Sequence, residues 1–181
     1  MYALFNVDKP TGANPGAGGG LKTVVYAALL AEIATFGERG VDLVTISTPF
    51  VMETGKFIHQ IYATDKTIEP KETKLAGENK DCGGVEISLN FFHPGLIAKI
   101  QEFKAKHMNE DFILFIRDFT NDVIYVIGEP GNPAWMEGFE TTWGKTIAEG
   151  KGTTFTFKSQ QSLPMAIYTG EFDSLVDDGT P

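Results

Sequence analysis

The clearest regularity along the chain is Val85-Glu86-Ile87-Ser88-Leu89-Asn90-Phe91, which alternates apolar and polar residues without a fault. That period of two predicts a sheet strand with one wet face. His93-Pro94-Gly95 breaks it, and Leu96, Ile100 and Phe103 then fall at i, i+4 and i+7. With Pro94 suited to a first helical position, the spacing predicts one amphipathic helix over about 94–107. The apolar runs 112–117 and 123–127, rich in β-branched and aromatic residues, predict a hairpin. Further strands are predicted at 56–64, 138–148, 153–159 and 164–170, with a turn at Pro130-Gly131-Asn132-Pro133. Val41, Leu43, Thr45 and Ser47 begin an alternation that Pro49 interrupts, as at an edge strand or a bulge. From Val24 to Phe36 the periodicity is double: Val25, Leu29, Ile33 and Phe36 match a helix, whereas Val24, Tyr26, Ala28 and Leu30 match a strand.

Between these elements lie polar stretches. Residues 1–22 hold Pro10, Pro15 and five glycines and read as a flexible N-terminal arm. Residues 65–84, with Pro70 and seven lysines or glutamates, read as a long charged loop or an exposed hairpin. Residues 171–181 read as an acidic mobile tail. A single helix interrupting roughly seven to nine strands favours α+β, a mainly antiparallel β-sandwich or barrel with one flanking helix, over a parallel α/β sheet.

Composition narrows the classes. At 181 residues, 42% hydrophobic and with 14 Phe, the chain can bury a sizeable core as one domain spanning 1–181. The longest apolar run, Val24 to Ala31, is well short of the roughly 20 residues a membrane span needs. The formal charge is −9, the only arginines are Arg39 and Arg117, and the lysines are dispersed. Without a basic stripe the chain is poorly equipped to neutralise phosphates, which argues against a nucleic-acid binder. One cysteine, Cys82, allows neither an internal disulfide nor a thiolate cluster.

The candidate chemistry is sparse. Gly16-Ala17-Gly18-Gly19-Gly20-Leu21-Lys22-Thr23 has the outline of a phosphate-binding loop, but Leu21 stands where glycine must precede the lysine. None of His59, His93 and His107 has a second histidine at the i+3 or i+4 spacing of a helical metal motif, so each reads as a core or core-edge histidine. Cys82 lacks a sequence-local base and reads as a spectator thiol. Trp135 and Trp143 read as core packing or a subunit contact. No spacing singles out a pair of carboxylates for acid–base work. The residues thus carry no call for a catalytic group, a cofactor or a metal ligand.

The order of features from Leu21 onward resembles bacteriophage tail-tube (major tail) proteins, which are related to the tube proteins of contractile injection systems. The segments that carry it are Gly20-Leu21-Lys22-Thr23-Val24-Val25-Tyr26, the stretch from Gly84 through Phe92 into His93-Pro94-Gly95 and the helix, the hairpin ending at Ile127-Gly128, and Asn132-Pro133. Thr141-Thr142-Trp143-Gly144, Gly152-Thr153-Thr154-Phe155-Thr156-Phe157, Leu163-Pro164 and Tyr168-Thr169-Gly170 complete it. The resemblance implies a non-enzymatic, self-assembling subunit of rings, commonly hexameric, that stack into a conduit for DNA. It further implies other tail proteins as partners, no membrane, and a place in the virion tail after synthesis in the bacterial cytoplasm. The arm and the 65–84 segment would bridge neighbouring copies, making Leu21, Lys22, Ile68, Lys71, Glu72 and Leu75 candidate interface residues. It also implies a strand at 24–30. Surplus negative charge fits a lumen that passes DNA without holding it. The alternatives are another virion component, such as a neck, terminator or decoration protein, or a small-ligand-binding barrel or sandwich with an apolar cavity.

Overall fold

The computed structural model of the chain describes residues 4, 6, 21–77, 83–119, 122–146 and 150–177. The doubly periodic stretch is a strand, β1 (Leu21–Leu29), followed by a 3-10 turn at Leu30–Glu32. Its two apolar faces explain the ambiguity. Val25, Ala27 and Leu29 enter one core while Tyr26 and Ala28 enter another, so a strand buried on both sides mimics an all-round apolar helix.

Short strands follow: β2 (Ile33–Thr35), β3 (Thr45–Ile46), β4 (Val51–Met52) and β5 (His59–Tyr62). The alternation from Val41 yields only the two residues of β3, because Asp42 Oδ1 accepts from the Val44 and Thr45 amides and Leu43 takes a positive φ of 61°. Side-chain capture of the backbone makes a turn there instead of a longer strand. The charged stretch is the exposed-hairpin alternative, its outer arm β6 (Glu69–Ala76) pairing along its length with β7 (Gly83–Pro94).

The single helix among the described residues, α1 (Ala98–His107), starts later than the predicted 94. Pro94 is the last residue of β7, paired with Gly152, and Gly95 turns the chain at φ 81°. Leu96 therefore lies outside the helix, which buries Ile100, Phe103, Lys104 and His107.

The second half is β8 (Asp111–Asp118), β9 (Ile124–Ile127), β10 (Ala134–Thr142), β11 (Gly152–Gln161) and β12 (Ala166–Tyr168), ending in a 3-10 turn at Asp173–Leu175. The strand expected at 138–148 begins earlier, since Ala134 and Trp135 already pair with Phe112 and Asp111; residues 147 and 148 lie outside the described residues. The stretch 164–170 contributes only β12.

Pairing is almost wholly antiparallel. β5–β1–β8–β10–β11–β7 runs in hydrogen-bonded order, with β6 flanking β7. The row curls shut where the Thr64 amide donates to the Phe92 carbonyl and His93 Nδ1 donates to the Tyr62 carbonyl at 2.8 Å. Inside this barrel sit the inward residues of every strand, among them Leu114, Ile116, Ile87, Leu89 and a ring cluster of Phe91, Phe112, Phe155 and Phe157, with Phe103 of α1 edge-on to Phe155. On the other side of β1 and β8, a second core joins Ile113 and Phe115 to Ile46, Phe50, Ile58, Val126, Tyr168 and Phe172. β9 leads to this layer through β12, which pairs in parallel with β3.

The described parts of the two chain ends are packed. Leu4 lies in the barrel core, Asn6 hydrogen-bonds the Gln60 amide at 2.9 Å, and Phe172 is 3% exposed. The glycine-rich stretch 16–20, Cys82 and residues 178–181 lie outside the described residues. Among the described residues no helix is long and apolar enough to cross a membrane.

Candidate functional site: a cavity at one barrel end and the strand edge beside it

Strand direction fixes the two ends of the barrel. Phe112, at the start of β8, meets Phe103 of α1, so the helix covers that end. Four to six residues further along β8, roughly 13–20 Å at ~3.3 Å per residue, Ile116 and Asp118 line a cavity of about 550 Å³. Its apolar wall is Leu21, Ile68, Pro70, Ile116, Tyr125 and Met165, and its polar groups are Thr23, Thr64, Lys66 and Asp118. Size and lining fall in the range of sites that enclose an apolar body and orient it by a few polar groups. Lys66 is held at φ 61°, an uncommon conformation for a side-chain-bearing residue.

The six predicted interface residues divide by position. Leu21 and Ile68 both line the cavity. Glu72 accepts a hydrogen bond from the Met165 amide, tying β6 to the cavity wall. Lys22, beside Leu21, pairs with Asp122. Lys71 pairs with Glu69 at 3.1 Å on the outer arm, and Leu75 stands opposite Gly84 near the hairpin's end. Strand alternation had a signal for Ile116 and Asp118, which share a face of β8, but Tyr125 and Met165 come from elements that only the fold brings near Leu21.

The opposite end is polar. His59 Nδ1 lies 3.2 Å from both Asn6 Oδ1 and Asp177 Oδ2, clasping the two chain ends to β5. Lys56 donates to the buried Glu32 at 2.8 Å. Lys104, on the buried face of α1, donates to Thr141 Oγ1 at 3.1 Å and lies 5.0 Å from the centre of the Phe139 ring. Burial pushes Lys104 below the ordinary lysine range, and it pushes His59, His93 and His107 below the ordinary histidine range, with the Asp177 carboxylate opposing it at His59. His59, His93, Lys56 and Lys104 bond one chain segment to another, and His107 is buried against Phe103, in line with core or core-edge histidines. Among the described residues no group of three or more His, Cys, Asp or Glu is placed to hold a metal ion.

The tryptophans differ. Trp135 is partly covered and donates to Glu137 Oε2 at 2.9 Å. Trp143, just past the end of β10, is 74% exposed, so core packing is excluded for it.

Compared with known proteins, the chain matches no family model, no curated protein and no solved structure.

Proposed function

We propose that the chain is a structural, self-assembling subunit of the phage tail-tube type, forming rings that stack into a passage for DNA. The observation that carries the reading is β6. This eight-residue strand is the margin of the main sheet, most of its side chains are exposed, and β7 is its only strand partner among the described residues. Such a margin offers a row of main-chain groups to a further strand. Its mixed charges, Glu69, Lys71, Glu72 and Lys74, together with Pro70, blunt indiscriminate pairing of this edge and leave it to a strand whose charges fall opposite its own with unlike sign. The net charge of −9 supports the same role twice over, discouraging premature association and repelling DNA phosphates from a lumen. On this reading the protein has no catalytic residue or cofactor, its partners are copies of itself and other tail proteins, and it ends in the virion tail after synthesis in the bacterial cytoplasm. A neck, terminator or decoration protein would use the same edge with a different copy number.

The test is negative-stain electron microscopy across a concentration series, with mass by light scattering on the same samples. Rings or tubes with a central hole are expected, and monomers persisting at high concentration would overturn the reading. The cavity favours a second one, a barrel that binds a small apolar molecule; native mass spectrometry of the purified protein would then find a bound molecule on a monomer.

A further inference from the structure

Two unexplained surface features lie at opposite ends of the barrel. The first is Trp143, at the tip of the β10–β11 hairpin. β10 leaves β8 at Phe112 and Asp111 and continues seven residues past Trp135, away from the cavity, for ~23 Å at 3.3 Å per residue. Asp118, on the cavity, lies seven residues the other way along β8. The tip is held in shape. Gly144 and Gly150 both adopt positive φ, 64° and 66°, and a Cβ on Gly144 would come within 2.1 Å of the Gly150 carbonyl oxygen. Only glycine lets the chain approach itself this closely next to the indole.

The second feature is the cavity, about 550 Å³ with an apolar wall. Indole is the side chain such a hollow suits, since it buries ~150–250 Å² of apolar surface with few rotatable bonds to freeze. The charges agree in sign. Lys145 and Lys151 stand beside Trp143, while the receiving end carries Asp118 and, next to Met165, Glu72, against the one lining lysine, Lys66.

We infer that Trp143 of one copy seats in the cavity of the next, between Leu21, Ile68, Ile116 and Tyr125. Knob and hole are different surfaces at opposite ends of each copy, so the contact is head-to-tail and of the kind that extends as an open stack wherever its rotation does not close into a ring. It is separate from the β6 edge, which joins copies sideways. This inference rests on the self-assembly reading and names its axial contact.

Three preparations test it: the wild type, Trp143→Ala, and Ile68→Trp, which fills the hole from within; Met165→Trp is the substitute filler should Ile68→Trp not fold. Circular dichroism and the urea midpoint establish that each variant is folded. In light scattering, both variants are expected to need at least tenfold more protein than the wild type to form stacks. Rings of the two variants formed separately and then mixed in equal amounts are expected to give pairs of rings and nothing longer, because only the knobs of the filled variant and the holes of the alanine variant remain. The emission of Trp143 is expected to move to the blue on wild-type assembly. If the wild type stacks and Trp143→Ala stacks equally well, the inference is overturned and the tube reading stands. If the wild type stays monomeric at every concentration, or the cavity carries a small molecule, both are overturned.

Discussion

The two hydrophobic cores share β1 and β8 yet are built differently. The barrel core is enclosed by long strands whose ladders run through β10, β11 and β7, with ten paired positions between β11 and β7 alone. The second core is roofed by short pieces, the two-residue β3, the three-residue β12, Phe50, Ile58 and Phe172, held largely by perpendicular ring contacts such as Phe50 on Phe115 at 5.4 Å and Tyr26 on Phe172 at 5.1 Å. The inner core gains from long ladders and packing together, the outer one mainly from packing, its roof having ladders of only two positions between β12 and β3 and three between β12 and β9. Cooperative global stability therefore belongs to the barrel, and local opening to the roof.

Substitutions sharpen the contrast. The largest effect is expected from Phe155→Ala, which removes a fully buried ring touching Phe91, Phe103 and Phe157; about 3–5 kcal/mol should be lost in urea unfolding, as a single global transition. Phe50→Ala should cost about 3 kcal/mol, with hydrogen exchange rising first in β3 and β12 while β7 and β11 stay protected. Uniform loss of protection across both cores would break the comparison. Arg117→Gln should cost about 1 kcal/mol or less, because its partner Asp173 is mostly exposed and the remaining gain is the guanidinium lying 5.4 Å from the Phe172 ring.

The mildest perturbation is pH. Burial holds His59, His93 and His107 below their ordinary value, so the folded state binds fewer protons than the unfolded one. Stability from these groups is complete above about pH 7 and falls as pH drops through ~6.5, where the unfolded histidines take up protons. Urea midpoints at pH 8 and 5.5 check this, with the lower midpoint expected at 5.5. All three lie on the barrel side, so protection in β7 and β11 should respond before the roof does.

The same contrast sets what was legible in the sequence. The barrel strands were visible where one face is wet, as in Val85–Phe91, or where an apolar run is unbroken, as in 112–116. The roof was not, because two- and three-residue strands have no period to detect; β3 and β12 exist through pairing with each other and with β9. Helix α1 was visible, but its start was misplaced, since pairing of Pro94 with Gly152 outweighed proline's preference for a first helical turn. Of the cavity, Leu21 and Ile68 are named only as candidate interface residues that the tail-tube resemblance implies, whereas Tyr125 and Met165 depend on topology. Trp143 reads as core packing or a subunit contact, and its exposure just past the end of β10 removes the first.

The join between β5 and β7 has a mechanical consequence. It is carried by the Thr64 amide on Phe92, the Phe92 amide on Thr67 Oγ1 at 3.2 Å, and His93 on Tyr62, so two of its three hydrogen bonds run through side chains. Such a line is a tear line: under a sideways load the wall parts there or at the two-position junction of β8 with β10, while the longer ladders of β11 with β7 and of β1 with β8 stay whole.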